Sequence, residues 1–332
     1  QRLMIMAPII KTESLVKDFG KIRAVDHLNL EVEERTIFGF LGPNGAGKTT
    51  TINILCTLLS PTSGRAFVNG YDCVKEPHKV RSSIGIVFQD MTLDKDLTAF
   101  ENLLFHAYLY GLNREKAKAR IEELLNFMGL YDRKDEPVKR FSGGMKRRLE
   151  VARGLMHYPK VLFLDEPTLG LDPQSRANLW EHIIKLPETQ GVTVFMTTHY
   201  MDEAEVCQRV AIIDHGRIIV EGSPDELKRM VGGDVVYFRA RDNKRAIRIL
   251  KEKITAQIDE GDGEVFVHGV KGDVCIPEII RLLGEEVLSV RLQRPTLNDV
   301  FLKLTGRGLR EGAQEDEFKE SIRAYRRRFD RT

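Results

Sequence analysis

The chain has 332 residues, 30% of them charged and 42% hydrophobic, with a net charge of +2. That is room for about two domains with full hydrophobic cores, and so balanced a charge gives no ground for a nucleic-acid partner. The cysteines Cys56, Cys73, Cys207 and Cys275 form no C-x-x-C pair, which argues against a disulfide scaffold or zinc site and for a reducing cytoplasm.

No apolar run approaches the roughly 20 residues that span a bilayer. The segment Leu3–Ile10 is short, is broken by Pro8 and lacks a small-residue cleavage pattern. Because Met4 and Met6 follow Gln1, one of them is the expected native start and residues 1–8 the expected N-terminal extension. Any membrane role is expected to run through another polypeptide.

Residues 9–35 alternate as antiparallel strands do, with Leu28, Leu30 and Val32 on one face and Asn29, Glu31 and Glu33 on the other. Lys17–Lys21 is a turn signal that contains Phe19. That ring either stacks on a flat heterocycle or packs in the core.

Ile37–Leu41 is an apolar run of strand length, and Thr51–Leu59 reads as a buried helix stopped by Ser60-Pro61. Between them lies Gly42-Pro43-Asn44-Gly45-Ala46-Gly47-Lys48-Thr49-Thr50, a G-x-x-x-x-G-K-[ST] pattern in the strand-to-helix context that makes it a phosphate cradle. Gly42, Gly45 and Gly47 permit positive backbone dihedrals, so successive N–H groups can turn toward an anion. The helix start adds unpaired donors and the positive end of its dipole. Lys48 brings a point charge to the β- and γ-phosphates, and the Thr49 hydroxyl can ligate Mg²⁺.

Ile84–Gln89 is a further apolar strand, and Gln89 at its tip either reaches a metal or water or merely caps a loop. Residues 98–130 are helical by period, with Leu103, Leu104, Ala107, Tyr108 and Leu112 on one face and Ile121, Leu124, Leu125 and Met128 on another. Glu115–Arg120 is expected on a solvated face. Phe141–Arg148 offers Ser142 as N-cap and Gly143-Gly144 as exposed backbone donors, a second anion-binding helix start without a lysine, or simply a capped helix with a basic first turn.

Val161–Pro167 reads as a fully buried strand that ends in two carboxylates. Alternation would turn Asp165 and Glu166 to opposite sides, one behind Mg²⁺ and one toward an attacking water. Val192–His199 repeats the design with a histidine at its tip, at the same sheet edge. Val210–Val220 closes as a hairpin through Asp214-His215-Gly216.

After Gly222-Ser223-Pro224 a helix over 225–230 ends the first domain. The remainder alternates strand (235–239), helix (244–254), strand (264–268), helix (276–283), strand (286–293) and helix (296–304), a small α+β domain without an acid–base constellation. In the tail, Phe318, Ile322, Tyr325 and Phe329 recur at helical spacing among arginines. Such a stripe docks on protein or lies on an anionic membrane.

Residues 9–222 resemble the nucleotide-binding subunit of ABC transporters. Gly42–Thr49 matches the Walker A loop, Gln89 the Q-loop, Phe141–Met145 the signature and Val161–Asp165 Walker B, followed by Glu166, Leu169–Asp172 as the D-loop and His199 as the switch histidine. The signature departs from the usual L-S-G-G-Q at Phe141 and Met145, while Ser142, Gly143 and Gly144 are intact. The F-S-G-G-M form and the ending Leu297–Gly306 (L-x-x-V-F-L-x-L-T-G) resemble the daunorubicin-resistance-type exporters, so the resemblance reaches residue 306.

The resemblance implies a P-loop NTPase of the α/β class. A parallel core sheet is expected with an antiparallel β subdomain and a helical subdomain at about 95–155, the whole cassette covering 9–230. The domain at 231–306 would serve dimer contact or regulation, and 307–332 would be a basic amphipathic tail. The implied cofactors are ATP, contacted by Phe19, Gly42, Asn44–Thr50, Ser142–Gly144 and Asp172, and Mg²⁺, held by Thr49 and Gln89 with Asp165 behind. Glu166 would act on the attacking water, with His199 and Gln89 beside it. The implied partners are a second cassette, paired head to tail, and a separate multi-span permease at the cytoplasmic face of the membrane. An importer subunit, or a soluble ABC ATPase acting on ribosomes or nucleic acid, is the alternative. The single P-loop and single signature argue against the latter.

Overall fold

The computed structural model describes residues 7–261 and 263–306. The expected basic tail, and all but the last two residues of the expected N-terminal extension, lie outside the described residues. These divide into two compact units that part between Ser223 and Pro224.

The first unit opens on β1 (Ile10–Phe19) and β2 (Ile22–Val32), an antiparallel pair whose inward positions include Leu28, Leu30 and Val32. It continues with β3 (Ile37–Leu41), α1 (Lys48–Leu55), β4 (Ser63–Val68), β5 (Tyr71–Asp72), α2 (Pro77–Ser83) and β6 (Ile84–Val87). The helical block follows as α3 (Ala99–Leu109), α4 (Arg114–Phe127) and α5 (Gly143–Gly154). Then come β7 (Val161–Asp165), α6 (Pro173–Ile183), α7 (Leu186–Thr189), β8 (Thr193–Thr198), α8 (Met201–Ala204), β9 (Arg209–Asp214) and β10 (Arg217–Gly222).

Two sheets result. One is antiparallel, in the order β2-β1-β4-β5. The other runs β10-β9-β3-β8-β7-β6 and is parallel from β9 to β6, with β10 turned back by the hairpin. Every residue of β3, β7 and β8 is buried, as the continuous apolar runs require of strands covered on both faces. Because β3, β6, β7 and β8 run the same way, the loops after them share one edge. There the phosphate loop, Gln89, Glu166 and His199 meet.

Two expectations for the helical block fail. Tyr108 is 50% exposed, because α3 turns only Ala99, Asn102, Leu103 and Ala107 fully inward. Arg120, expected in solvent, is 3% exposed. It donates through its two terminal nitrogens to Glu123, Gln190 and the Leu155 carbonyl and lies over the Tyr158 ring, so its charge is paired inside the fold.

The second unit contains α9 (Pro224–Val231), β11 (Asp234–Ala240), α10 (Asn243–Lys253), β12 (Gln257–Gly261), β13 (Glu264–Val270), α11 (Gly272–Leu283), β14 (Val287–Gln293) and α12 (Leu297–Thr305). The sheet order β12-β13-β11-β14 and the βαββαβ succession from β11 to β14 make it a ferredoxin-like split sheet. β12 escaped the sequence reading because Ile258 is its one buried residue, too little to make an alternation. The boundary drawn after residue 230 moves to 223. α9 packs on α12, and the Lys303 ammonium donates to the carbonyls of Met230 (3.1 Å) and Val231 (3.3 Å), so the helix belongs to the second unit.

Candidate active site

The phosphate loop is built as its glycines dictate, with one correction. Gly45 and Gly47 take φ of 81° and 105°, the left-handed region that favours glycine. Gly42 does not. It is glycine because a Cβ there would stand 2.4 Å from the carbonyl oxygen of Ile213. Lys48 opens α1 and folds back over the loop. Its Nζ donates to the carbonyls of Gly42 (2.8 Å) and Pro43 (3.1 Å) and lies 3.3 Å from Oε1 of Glu166. Ala46 is in the core, so only its backbone serves the loop.

β7 ends at Asp165, and the two carboxylates diverge by a different device from the one expected. Glu166 lies beyond the strand with φ of 46°, a left-handed conformation that is costly for a side chain with a Cβ and is held by its surroundings. Its N–H donates to the backbone carbonyl (3.2 Å) and hydroxyl (3.1 Å) of Thr197. Asp165 is buried. Its Oδ1 accepts from Thr197 Oγ1 (2.5 Å) and, at longer range, from Thr49 Oγ1 (3.4 Å). Thr197 is a site residue the sequence reading passed over. A hydroxyl at the end of an otherwise apolar strand was its signal.

His199 Nδ1 lies 3.2 Å from Oε1 of Glu166 but off the line of a hydrogen bond, so the contact is electrostatic. Burial pushes the Glu166 carboxyl up, yet His199 and Lys48 together outweigh it and hold its pKa below the ordinary glutamate value. Behind His199 stands Glu203, fully buried, which accepts hydrogen bonds from the hydroxyls of Thr168 and Thr198. Burial raises its pKa against these partners. Glu203 too was unread, although an acid four residues past a strand-tip histidine was legible.

At this edge lies a cavity of about 540 Å³. Phe19, Asn44, Gly45, Gly47, Lys48, Thr49, Thr50, Gln89, Glu166 and His199 line it, with Ala24 and Leu169 added by the structure. Phe19 is 49% exposed, which excludes core packing. Gln89 is exposed two residues beyond β6. Ser142, Gly143, Gly144 and Asp172 are not among the lining residues. Ser142 caps α5 by accepting from the Met145 N–H (3.3 Å), and Asp172 caps α6 by accepting from the Ser175 N–H (2.9 Å).

Residues 25–169 match the model of the ABC transporter family, and residues 222–305 that of the C-terminal domain of DrrA1-3-like ATP-binding proteins. The daunorubicin resistance ATP-binding protein DrrA2 of Streptomyces coeruleorubidus is 40% identical over 90% of this chain and 95% of its own length. The linearmycin resistance ATP-binding protein LnrL of Bacillus subtilis is 38% identical over 91% and 100%. Among solved structures, the dimeric post-hydrolysis state of the cassette MJ0796 bound to ADP and Pi superposes with a TM-score of 0.58 at 28% identity, covering 64% of this chain and 98% of that one. The chain therefore belongs to the ABC transporter family, as an ATP-binding and ATP-hydrolysing subunit with the P-loop cassette fold. Its C-terminal unit and its relatives put it in the daunorubicin-resistance-type branch.

Proposed function

We propose that this cassette powers export of a substrate through a separate multi-span membrane subunit, by pairing head to tail with a second cassette around ATP. The observation that carries the reading is the convergence of Lys48, Glu166 and His199 on one cavity with Phe19 at its wall. Relatives named for resistance and for Nod factor export favour outward transport. Among the described residues no helix is long and apolar enough to cross a membrane, which leaves the translocation path to a partner at whose cytoplasmic face this chain would sit.

In this reading Phe19 stacks on the adenine, and the phosphates lie over the loop amides of residues 44–50, with Lys48 between the β- and γ-groups. Thr49 offers its hydroxyl at the cavity, Gln89 its amide oxygen, and Asp165 a carboxylate behind Thr49. This all-oxygen donor set suits Mg²⁺, which when bound would supply positive charge to neutralise the phosphates. Glu166, held ionised by its neighbours, accepts a proton from the attacking water or orients it. His199 stabilises charge that develops on the γ-phosphate. Ser142–Gly144 would close over the nucleotide of the opposing cassette, with Asp172 beside that interface, which accounts for their place outside this chain's own cavity. The 98–110 segment next to Gln89 would receive the membrane subunit.

The test is recovery of a tagged chain from detergent-solubilised native membranes. A stoichiometric multi-span protein is expected. Ribosomes or nucleic acid in its place would leave the ATPase standing and remove the transport function.

A further inference from the structure

Arg147 was read from the sequence as part of a basic first turn. It is instead 3% exposed and turned inward from α5. Its Nε donates to the Pro167 carbonyl (2.6 Å). One terminal nitrogen donates to the Phe88 carbonyl (2.5 Å) and to Oε2 of Glu150 (2.9 Å). The other reaches the carbonyls of Asp165 (3.3 Å) and Glu166 (3.2 Å). Three of these five acceptors are the consecutive carbonyls of the turn that sets Glu166 in its left-handed conformation, and the Phe88 carbonyl immediately precedes Gln89.

The neighbouring turns of α5 hold the far end of the same loop. Glu150 Oε1 accepts from the Thr92 N–H (2.7 Å), and Arg153 donates to the Thr92 carbonyl (3.0 Å). The segment 88–92 is thus fastened on both sides of Gln89 to the helix that begins at Ser142. Arg147 itself is not among the residues that line the cavity. Only a planar, five-donor cation satisfies so many converging oxygens at once, so lysine is no equivalent here.

We propose that Arg147 is a positioning residue for hydrolysis: it fixes the Glu166 turn against Gln89 and the Ser142 helix, so that catalysis depends on it and ATP binding does not. The proposal rests on the reading of Glu166 as the group that acts on the attacking water. Through this guanidinium the signature helix, the Q-loop and the hydrolytic carboxylate move as one piece.

The experiment uses the full chain and compares Arg147→Met, Arg147→Lys and Glu166→Gln by Mg-ATP affinity, kcat and KM, and ATP-dependent dimerisation on gel filtration. A displaced catalytic group costs on the order of a hundredfold in rate. Arg147→Met is therefore expected to lose that much kcat while ATP affinity stays within about threefold and the ATP-bound dimer persists as in Glu166→Gln. Arg147→Lys, which still pairs with Glu150, should recover part of the rate at unchanged affinity. Should Arg147→Met not fold, the lysine variant decides by the same split. Wild-type kcat in whichever of the two variants folds, or a parallel loss of kcat, affinity and dimer, overturns the proposal. Undiminished hydrolysis in Glu166→Gln would remove the underlying reading and the proposal together. An inactive Glu166→Gln beside a fully active Arg147→Met would remove the proposal alone.

Discussion

The two units have different interiors. Among the described residues, the buried charged side chains Lys48, Asp72, Arg120, Arg147, Glu150, Arg153, Asp165, Glu166 and Glu203 all belong to the first unit. The second is built round Val236, Phe238, Leu250, Val265, Val267 and Ile279, and its ion pair Arg294–Asp273 (2.7 Å) stands largely in solvent. A buried charge is expensive unless it is paired and hydrogen-bonded. The first unit bears that expense repeatedly, at Lys48 and Glu166, which line the cavity, and also at Asp72 and Arg120, which do not, whereas among the described residues no charged residue of the second unit is buried. Buried charge is thus confined, among the described residues, to the unit that holds the candidate site, and the ferredoxin-like unit packs round an apolar core.

The sharpest break of this contrast is Glu166→Gln. Loss of the carboxylate should lower hydrolysis by about 10²–10³-fold, the scale of removing one preorganised catalytic group, with ATP still bound and the dimer trapped. Turnover at the wild-type rate would show that another group acts on the water. Next, Lys48→Ala removes the cation between loop and carboxylate and should weaken ATP binding by roughly a hundredfold. Calorimetry that finds unchanged affinity would count against the phosphate-loop assignment.

A smaller effect separates the interiors by stability. Glu203→Ala strands two buried hydroxyls and should cost about 2 kcal/mol. Arg294→Ala, at an exposed pair, should cost under about 1 kcal/mol. Equal losses in denaturant unfolding would erase the distinction between the units. The smallest effect is expected from a chain ended at Ser223, because every lining residue of the cavity precedes that point. Its ATP affinity should match that of the full chain, and a lost affinity would mean that the second unit completes the site.

The order of elements, the parallel core and the identity of most cavity-lining side chains, Ala24 and Leu169 apart, were legible along the chain. Period-two and continuous apolar patterns report which strands are half or wholly buried, and a glycine-rich strand-to-helix turn ending in Lys48-Thr49 has one principal use. The same local signals misled wherever a side chain's fate depended on a distant partner. Arg120 and Arg147 are charged residues at helical positions with no local sign of burial. The Leu155 carbonyl, the Phe88 carbonyl and the turn after Asp165 decide that both go inside.

Tyr108 fits the apolar period of α3 and still faces out, since the packing of the helical block claims only part of that stripe. Gly42 looks like a conformational glycine and is a steric one, because the oxygen that excludes a Cβ comes from Ile213 on the adjacent strand β9, distant only in sequence. The divergence of Asp165 and Glu166 was foreseen from strand alternation, but a left-handed residue held by Thr197 and Arg147 produces it. The sequence by itself determined which groups reach the sheet edge, since periodicity and turn chemistry act between near neighbours. The tertiary structure alone decided how those groups are held, since the hydrogen bonds that hold them join residues far apart in the chain.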